Sequence, residues 1–231
     1  MSGMEIDDPA VRNGTRRMLE LRTDLIAAGE VAVGWKLGFG APAWLERFGI
    51  PGPMVGFLIG SRRHPSGSTV GIDGWKAPVA EPEIAVHFGA DVDDPARAVA
   101  SISAVAAAIE LADVNPPPND LEEVVAGNIY HRAVILAEPD TETEAGALGG
   151  LVGRVTRDGT EVTTTTDVEA MTGAIGEILS HSARLLGAFG EGFRVGDVVI
   201  LGSVVPPLQV RPGETIVFAP EPLRGVSVTL A

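Results

Sequence analysis

The 231-residue sequence contains no cysteine, which excludes a disulfide framework, a thiolate nucleophile and any zinc–sulfur site. Basic residues are also scarce, 17 against 31 acids, and the resulting net charge of −14 repels polyanions. Nucleic acid is therefore not an expected partner. No apolar run approaches the roughly 20 residues needed to span a bilayer. The acidic start Met1-Ser2-Gly3-Met4-Glu5-Ile6-Asp7-Asp8 lacks the basic and apolar regions of a signal peptide. The expectation is a cytoplasmic protein with no membrane partner. A hydrophobic share of 45% suffices for a sizeable core, and residues 1–231 read as a single catalytic-sized domain with an N-terminal helical segment over about residues 1–30.

Lysine is the rarest base. Of the 17 basic residues only Lys36 and Lys76 are lysine, the other 15 being arginine. The distinction matters because an amine can shed its proton when burial or neighbouring charge shifts its pKa, whereas a guanidinium cannot. Lys36 lies between apolar and glycine neighbours in Val33-Gly34-Trp35-Lys36-Leu37-Gly38-Phe39, a candidate proton carrier or a solvated strand residue. Lys76, beside Gly74 and Trp75 in a turn-rich segment, reads as a surface residue.

The strongest chemical signal is Pro78-Val79-Ala80-Glu81-Pro82-Glu83-Ile84-Ala85-Val86-His87-Phe88. Residues two apart on an extended chain face the same side, so Glu81 and Glu83 share one space and repel unless a cation lies between them. A pair of solvent-facing strand residues would look the same. Glu110, closing an apolar run, is a third acid of this kind. Three hard oxygen donors suit Mg²⁺ or Mn²⁺ better than zinc.

Periodicity predicts helices over residues 9–28, 43–48 and 121–126, and one running from Thr166 or Asp167 to about Phe189. Asp94-Pro95-Ala96 reads as a further helix start. Strands are expected over 31–39, 54–59, 80–88, around Glu110, and over 133–136, 198–201, 215–218 and 226–230. Asp158-Gly159 marks a hairpin joining 151–156 to 161–165. Pro82 argues for an edge strand, or for a position where its missing N–H is not needed, and residues 60–68 read as a mobile polar loop.

Five motifs in order, Gly34-Trp35-Lys36-Leu37-Gly38, Val55-Gly56-Phe57-Leu58, Glu81-Pro82-Glu83-Ile84-Ala85, Ile109-Glu110-Leu111-Ala112-Asp113 and Gly196-Asp197-Val198-Val199-Ile200-Leu201-Gly202, resemble the 2-keto-4-pentenoate hydratase and 4-oxalocrotonate decarboxylase branch of the fumarylacetoacetate hydrolase superfamily. The resemblance runs from about residue 10 to the end. It implies an α+β fold, a curled and mostly antiparallel β core with surrounding helices, a divalent cation, usually Mg²⁺, and a homo-oligomer, either a dimer or a ring of dimers. It also implies that Glu81, Glu83 and Glu110 hold the metal, that Lys36 is catalytic, and that the substrate is a small 2-oxo or 2-hydroxydienoic acid undergoing hydration or decarboxylation.

The chain departs from that pattern at three polar positions. Phe39-Gly40-Ala41 replaces a hydroxyl pair, Ile59-Gly60-Ser61 lacks an acid, and Gly127-Asn128-Ile129-Tyr130-His131 lacks a serine. Arg62, Tyr130 and His131 are the candidates to fill the gap, with an arginine able to hold a second carboxylate in bidentate fashion. Ser203 is the candidate contact for the substrate carboxylate. Hydrolysis of an acylpyruvate, the other chemistry of the superfamily, wants a Glu-His pair on a lid, and no such pair is evident. Binding of a metabolite without turnover is the remaining alternative.

Overall fold

The computed structural model describes residues 8–231; Met1–Asp7, on which the signal-peptide expectation falls, lie outside the described residues. The Asp8 carboxylate accepts from the backbone N–H of Ala10 at 2.7 Å and of Val11 at 3.2 Å, and Pro9 fixes the first turn, so α1 spans Pro9–Ala27. The other helices are α2 (Pro42–Phe48), α3 (Leu121–Ala126) and α4 (Ile175–Gly187). In the first half of the chain the strands are β1 (Ala32–Gly38), β2 (Met54–Ile59), β3 (Arg63–Pro65), β4 (Ser68–Val70), β5 (Pro78–Phe88), β6 (Ile102–Asp113) and β7 (His131–Leu136). The second half adds β8 (Val152–Arg157), β9 (Thr160–Thr165), β10 (Val198–Ser203), β11 (Leu208–Gln209), β12 (Thr215–Glu221) and β13 (Val226–Leu230).

These strands form two sheets. One runs β2-β1-β10-β5-β6-β7-β3, with β11 joined to β5, and the other runs β4-β13-β12-β8-β9. Only β1–β10, β3–β7 and β4–β13 pair in parallel, so this is the α+β fold with a curled, mostly antiparallel core that the motifs imply. Strict alternation gives the larger sheet two characters. On β6, Val105, Ala107, Ile109 and Leu111 belong to the main core with Trp35, Phe57 and Ile84. Ala106 and Ala108 share the opposite face with Ala85, Val198 and Ile200. Glu110 is in phase with these alanines and so lies on that face.

Three sequence expectations are corrected here, and the choice left open at Pro82 is decided. Pro82 lies not on an edge but within β5, between β6 and two partial neighbours. The pairing of β10 with β5 breaks between Ile200 and Ser203, while β11 pairs at Ala80 and Val79, so the imino nitrogen of Pro82 falls where one partner gives way to the other. Residues 60–68 are not a free loop: β3 pairs with β7, setting Arg63 opposite Val134 and His64 opposite Ile135. Residues 95–101 form a 3₁₀ rather than an α-helix, although Asp94 does accept from the Ala96 N–H at 3.0 Å. The late helix begins at Ile175 instead of near Asp167, because the Asp167 carboxylate caps only a local turn through the Glu169 N–H, and the chain reverses at Gly173 before the helix starts.

Gly34 shows why the first motif needs a glycine. Its φ is 145°, and a Cβ there would lie 2.0 Å from the Val198 carbonyl oxygen across the parallel β1–β10 pair. Gly34→Ala is expected to destabilise the protein by about 3 kcal/mol or more, since relief requires separating the two strands. Urea denaturation would check this; a midpoint equal to that of the unsubstituted protein would refute it.

Candidate metal centre

Three strands bring the charged residues together. Glu81 on β5 stands directly opposite Glu110 on β6, and Glu83 is one step further along the same face. Oxygen atoms of Glu81, Glu83 and Glu110 all lie within 4.8 Å of one another. Lys36 reaches them from β1: its Nζ donates to both oxygens of Glu110, at 2.5 and 2.6 Å, and to the Ile129 carbonyl at 3.2 Å. Gly56, facing Lys36 on β2, makes room for this, because a Cβ there would lie 2.9 Å from Lys36 Cγ. Lys36, Glu83 and Glu110 are buried.

His131 holds Glu110 from the other side. Its Nδ1 lies 2.7 Å from Glu110 Oε1, and because an ionised carboxylate only accepts, Nδ1 carries the hydrogen. Burial lowers the His131 pKa against the pull of Glu110, so the ring is neutral at ordinary pH. The Ile129 carbonyl is presented by an unusual backbone: Asn128, Ile129 and Tyr130 have φ of 62°, 49° and 63°. A β-branched residue in this left-handed region is strained. The Asn128 side chain holds the run in place, accepting from Phe57 N–H at 2.7 Å and donating to the Phe57 carbonyl at 3.0 Å.

The electrostatics separate the three acids. Burial would raise Glu110, but the Lys36 ammonium and the His131 hydrogen bond outweigh it and hold the pKa below the ordinary carboxylate value. Burial and the Glu110 charge push Glu81 up to about 7, against the opposing Lys36. Glu83 is raised well above the carboxylate range, first by burial and then by Glu110 and Glu81. Lys36 itself is raised, because the three glutamates overcome the desolvation that would lower it.

This donor set fits a divalent cation. One ammonium cannot balance three carboxylates, and two further positive charges let all three ionise together. Glu83 supports the fit atom by atom: Oε2 accepts from the Gly202 N–H at 2.7 Å, while Oε1 is buried with no hydrogen-bond partner among the described residues.

A cavity of about 550 Å³ opens onto the cluster, lined at its inner end by Lys36 and Glu81. Phe39, Trp44, Ile129 and Val79 supply apolar wall, with Phe39 packed edge-on to Trp44 at 5.2 Å. Tyr130 lines it too and also borders a second hollow of about 490 Å³, its hydroxyl donating to the Pro116 carbonyl at 2.7 Å. The other substrate contacts expected from sequence are not on the lining. Arg62 faces the second hollow and donates to the His131 carbonyl at 3.1 Å. Ser203 pairs with Glu83 through its backbone and donates its hydroxyl to the Val205 carbonyl at 2.6 Å, and His131 is turned toward Glu110.

Lys76, which reads as ordinary surface in the sequence, does line the cavity, together with Gln209 and Arg211. For Lys76 the available signal was its rarity; for Gln209 and Arg211 there was none, because their position depends on the pairing of β11 with β5.

The fumarylacetoacetate (FAA) hydrolase C-terminal family matches residues 44–224. The chain belongs to that family. Among curated members of the wider group, a 2-hydroxyhexa-2,4-dienoate hydratase of Comamonas testosteroni is 26% identical over 205 residues, covering 85% of this chain and 76% of the relative. A 4-oxalocrotonate decarboxylase of a Pseudomonas species is 26% identical over 219 residues, covering 91% and 83%. The solved 4-oxalocrotonate decarboxylase from Pseudomonas putida G7, complexed with magnesium and adipate, superimposes with a TM-score of 0.87 at 24% identity, covering 96% of this chain and 86% of that one. At that identity the likeness speaks for the FAA hydrolase fold.

The raised carboxyls set a pH dependence. The ordinary value for Glu81 is 4.5 and its folded value is about 7, so the folded chain holds this proton more tightly than the unfolded one. The stability this contributes is fully present below about 4.5 and is lost as pH rises through about 7. Protein stripped of divalent cations should therefore melt at a lower temperature at pH 8 than at pH 6, and Mg²⁺ should raise the melting temperature more at pH 8. Calorimetric titration at pH 6.5 in buffers of differing ionisation enthalpy should show protons released on Mg²⁺ binding. Binding without proton release would count against this account of the site.

Proposed function

We propose that this chain is a divalent-metal-dependent lyase acting on a small 2-oxo or 2-hydroxydienoic acid, by hydration or by loss of CO₂. The observation that carries the reading is the convergence of Glu81, Glu83 and Glu110 around the buried Lys36 ammonium at the inner end of the cavity. The two curated relatives, one a hydratase and one a decarboxylase, support it. Glu81, Glu83 and Glu110 would hold Mg²⁺ or Mn²⁺. Once bound, the cation supplies Lewis acidity toward the oxygens of a 2-oxo acid.

The protein's own residues do the rest. Lys36 is the buried proton-bearing group at the substrate end of the cavity, and its Nζ, held as an ammonium, delivers a proton to a carbon of the bound acid. The Ile129 carbonyl and Glu110 fix that ammonium in place, and His131 fixes Glu110 in turn. Phe39, Trp44 and Ile129 exclude water from one wall, and Tyr130 closes the side toward the second hollow. Arg62, Ser203 and His131 act on this reading by holding the frame, through His131, Val205 and Glu110 respectively. Among the described residues no helix is long and apolar enough to cross a membrane. A cytoplasmic homo-oligomer, as a dimer or ring of dimers, completes the proposal; light scattering on the purified chain would test the assembly.

Purified protein with Mg²⁺ should change the ultraviolet absorbance of at least one member of a panel of 2-hydroxydienoates, oxalocrotonate-like diacids and oxaloacetate. A panel left unchanged, with tight Mg²⁺-dependent oxalate binding, would mark a binding protein instead. Glu83→Ala should abolish Mg²⁺ binding while circular dichroism shows the fold retained, and unchanged affinity would remove Glu83 from the ligand set. Lys36→Met should lower kcat by about 10²–10⁴-fold, the range for a lost acid–base group, with Mg²⁺ binding retained. Equal loss of metal binding would make Lys36 structural.

A further inference from the structure

The cavity has two charged ends. At the inner end are Lys36 and Glu81, the first of them buried; at the outer end are Lys76 and Arg211, both exposed. The topology brings the outer pair together. Gln209 pairs with Val79, and the next step of the antiparallel ladder is the bond from Val210 N–H to the Pro78 carbonyl at 3.1 Å. One step further, Arg211 comes opposite Ala77, beside Lys76. Both lysines of the chain thus line a single cavity, and three of its four charged lining residues, Lys36, Lys76 and Arg211, are cations in a protein of net charge −14.

The two acids that touch the backbone of the outer pair are already committed. Asp113 Oδ1 accepts from the backbone N–H groups of Lys76 and Ala77, at 2.9 and 2.8 Å, and Oδ2 faces Arg132 at 3.5 Å. Glu214 Oε2 accepts from the Arg211 backbone N–H at 3.0 Å, and Oε1 faces Arg157 at 3.5 Å. Among the described residues neither the Lys76 ammonium nor the Arg211 guanidinium forms an ion pair. The backbones are anchored and the charges are left for a ligand. Lys76 is five residues from Glu81, at most about 17 Å along the chain, and its long side chain shortens the gap to what a small extended molecule can bridge.

We infer that Lys76 and Arg211 are specificity-determining residues that take the second carboxylate of a 2-oxo diacid whose 2-oxo acid end lies at the Glu81, Glu83 and Glu110 centre. This rests on the proposed function for the position of the 2-oxo acid end. A charge-assisted contact to each oxygen gives the diacid an advantage over the monoacid of equal length. Gln209, opposite Val79 and two residues before Arg211, adds polar lining without charge.

The test is calorimetric titration of the Mg²⁺-loaded full chain with 2-oxoadipate, 2-oxohexanoate and oxalate. The expected result is at least a tenfold preference for 2-oxoadipate over 2-oxohexanoate, reduced to twofold or less in K76Q/R211Q. Both residues are exposed, so the melting temperature of the double variant should match that of the unsubstituted chain. Equal affinity for the two six-carbon acids, or a preference that survives in K76Q/R211Q, would overturn the inference while oxalate binding left the proposed metal site standing. Loss of Mg²⁺-dependent oxalate binding would sink the metal site and this inference with it. A preference that holds without turnover of any lyase substrate would remove the proposed reaction alone.

Discussion

The fold is organised around one costly arrangement, the cross-strand opposition of Glu81 and Glu110 with Glu83 beside them and a single ammonium among the three. Burying ionised carboxylates is unfavourable by several kcal/mol each unless countercharge and hydrogen bonds are supplied. Nearly every peculiarity nearby supplies one or the other. Lys36 contributes charge, Gly202 and His131 contribute donors, and Ile129 presents a carbonyl to the ammonium. The strained left-handed run at residues 128–130 is tolerated because Asn128 is tied to the Phe57 backbone at both ends of its amide.

The partition of charge among the acids follows from the same geometry. Glu110, held by Lys36 and His131, stays ionised, whereas Glu81 and Glu83 are left to repel it and each other. A site divided this way exchanges protons for a cation. The apolar wall of Phe39, Trp44 and Ile129 keeps that exchange in a medium where charge is felt strongly.

Much of this was legible in the sequence, for identifiable reasons. The period of two along a strand is enough to set Glu81 and Glu83 side by side, and the scarcity of lysine singled out Lys36. Helical periodicity placed α1, α2 and α3. What was hidden depends on pairing between distant residues. That Glu110 faces Glu81 is a matter of register across 29 positions, and that His131 turns toward Glu110 depends on the irregularity between Leu111 and Ala112. Pro82 left two readings open, and the second holds: an interior strand changes partners at the residue that cannot donate. Lys76 misled: it is exposed, as a turn residue should be, and the exposure is to a cavity.

The change of partner at Pro82 divides β5 between two neighbours, β10 alongside Glu83 and β11 alongside Ala80 and Val79. The chemistry of the inner end is therefore braced by one strand and the lining of the outer end by another. Insertions or exchanges within residues 204–211 can remodel the outer lining while the backbone bonds that fix Glu83 stay as they are. A change of partner at one imino acid thus separates the backbone support of the carboxylate centre from that of the rim, and the two can be altered independently.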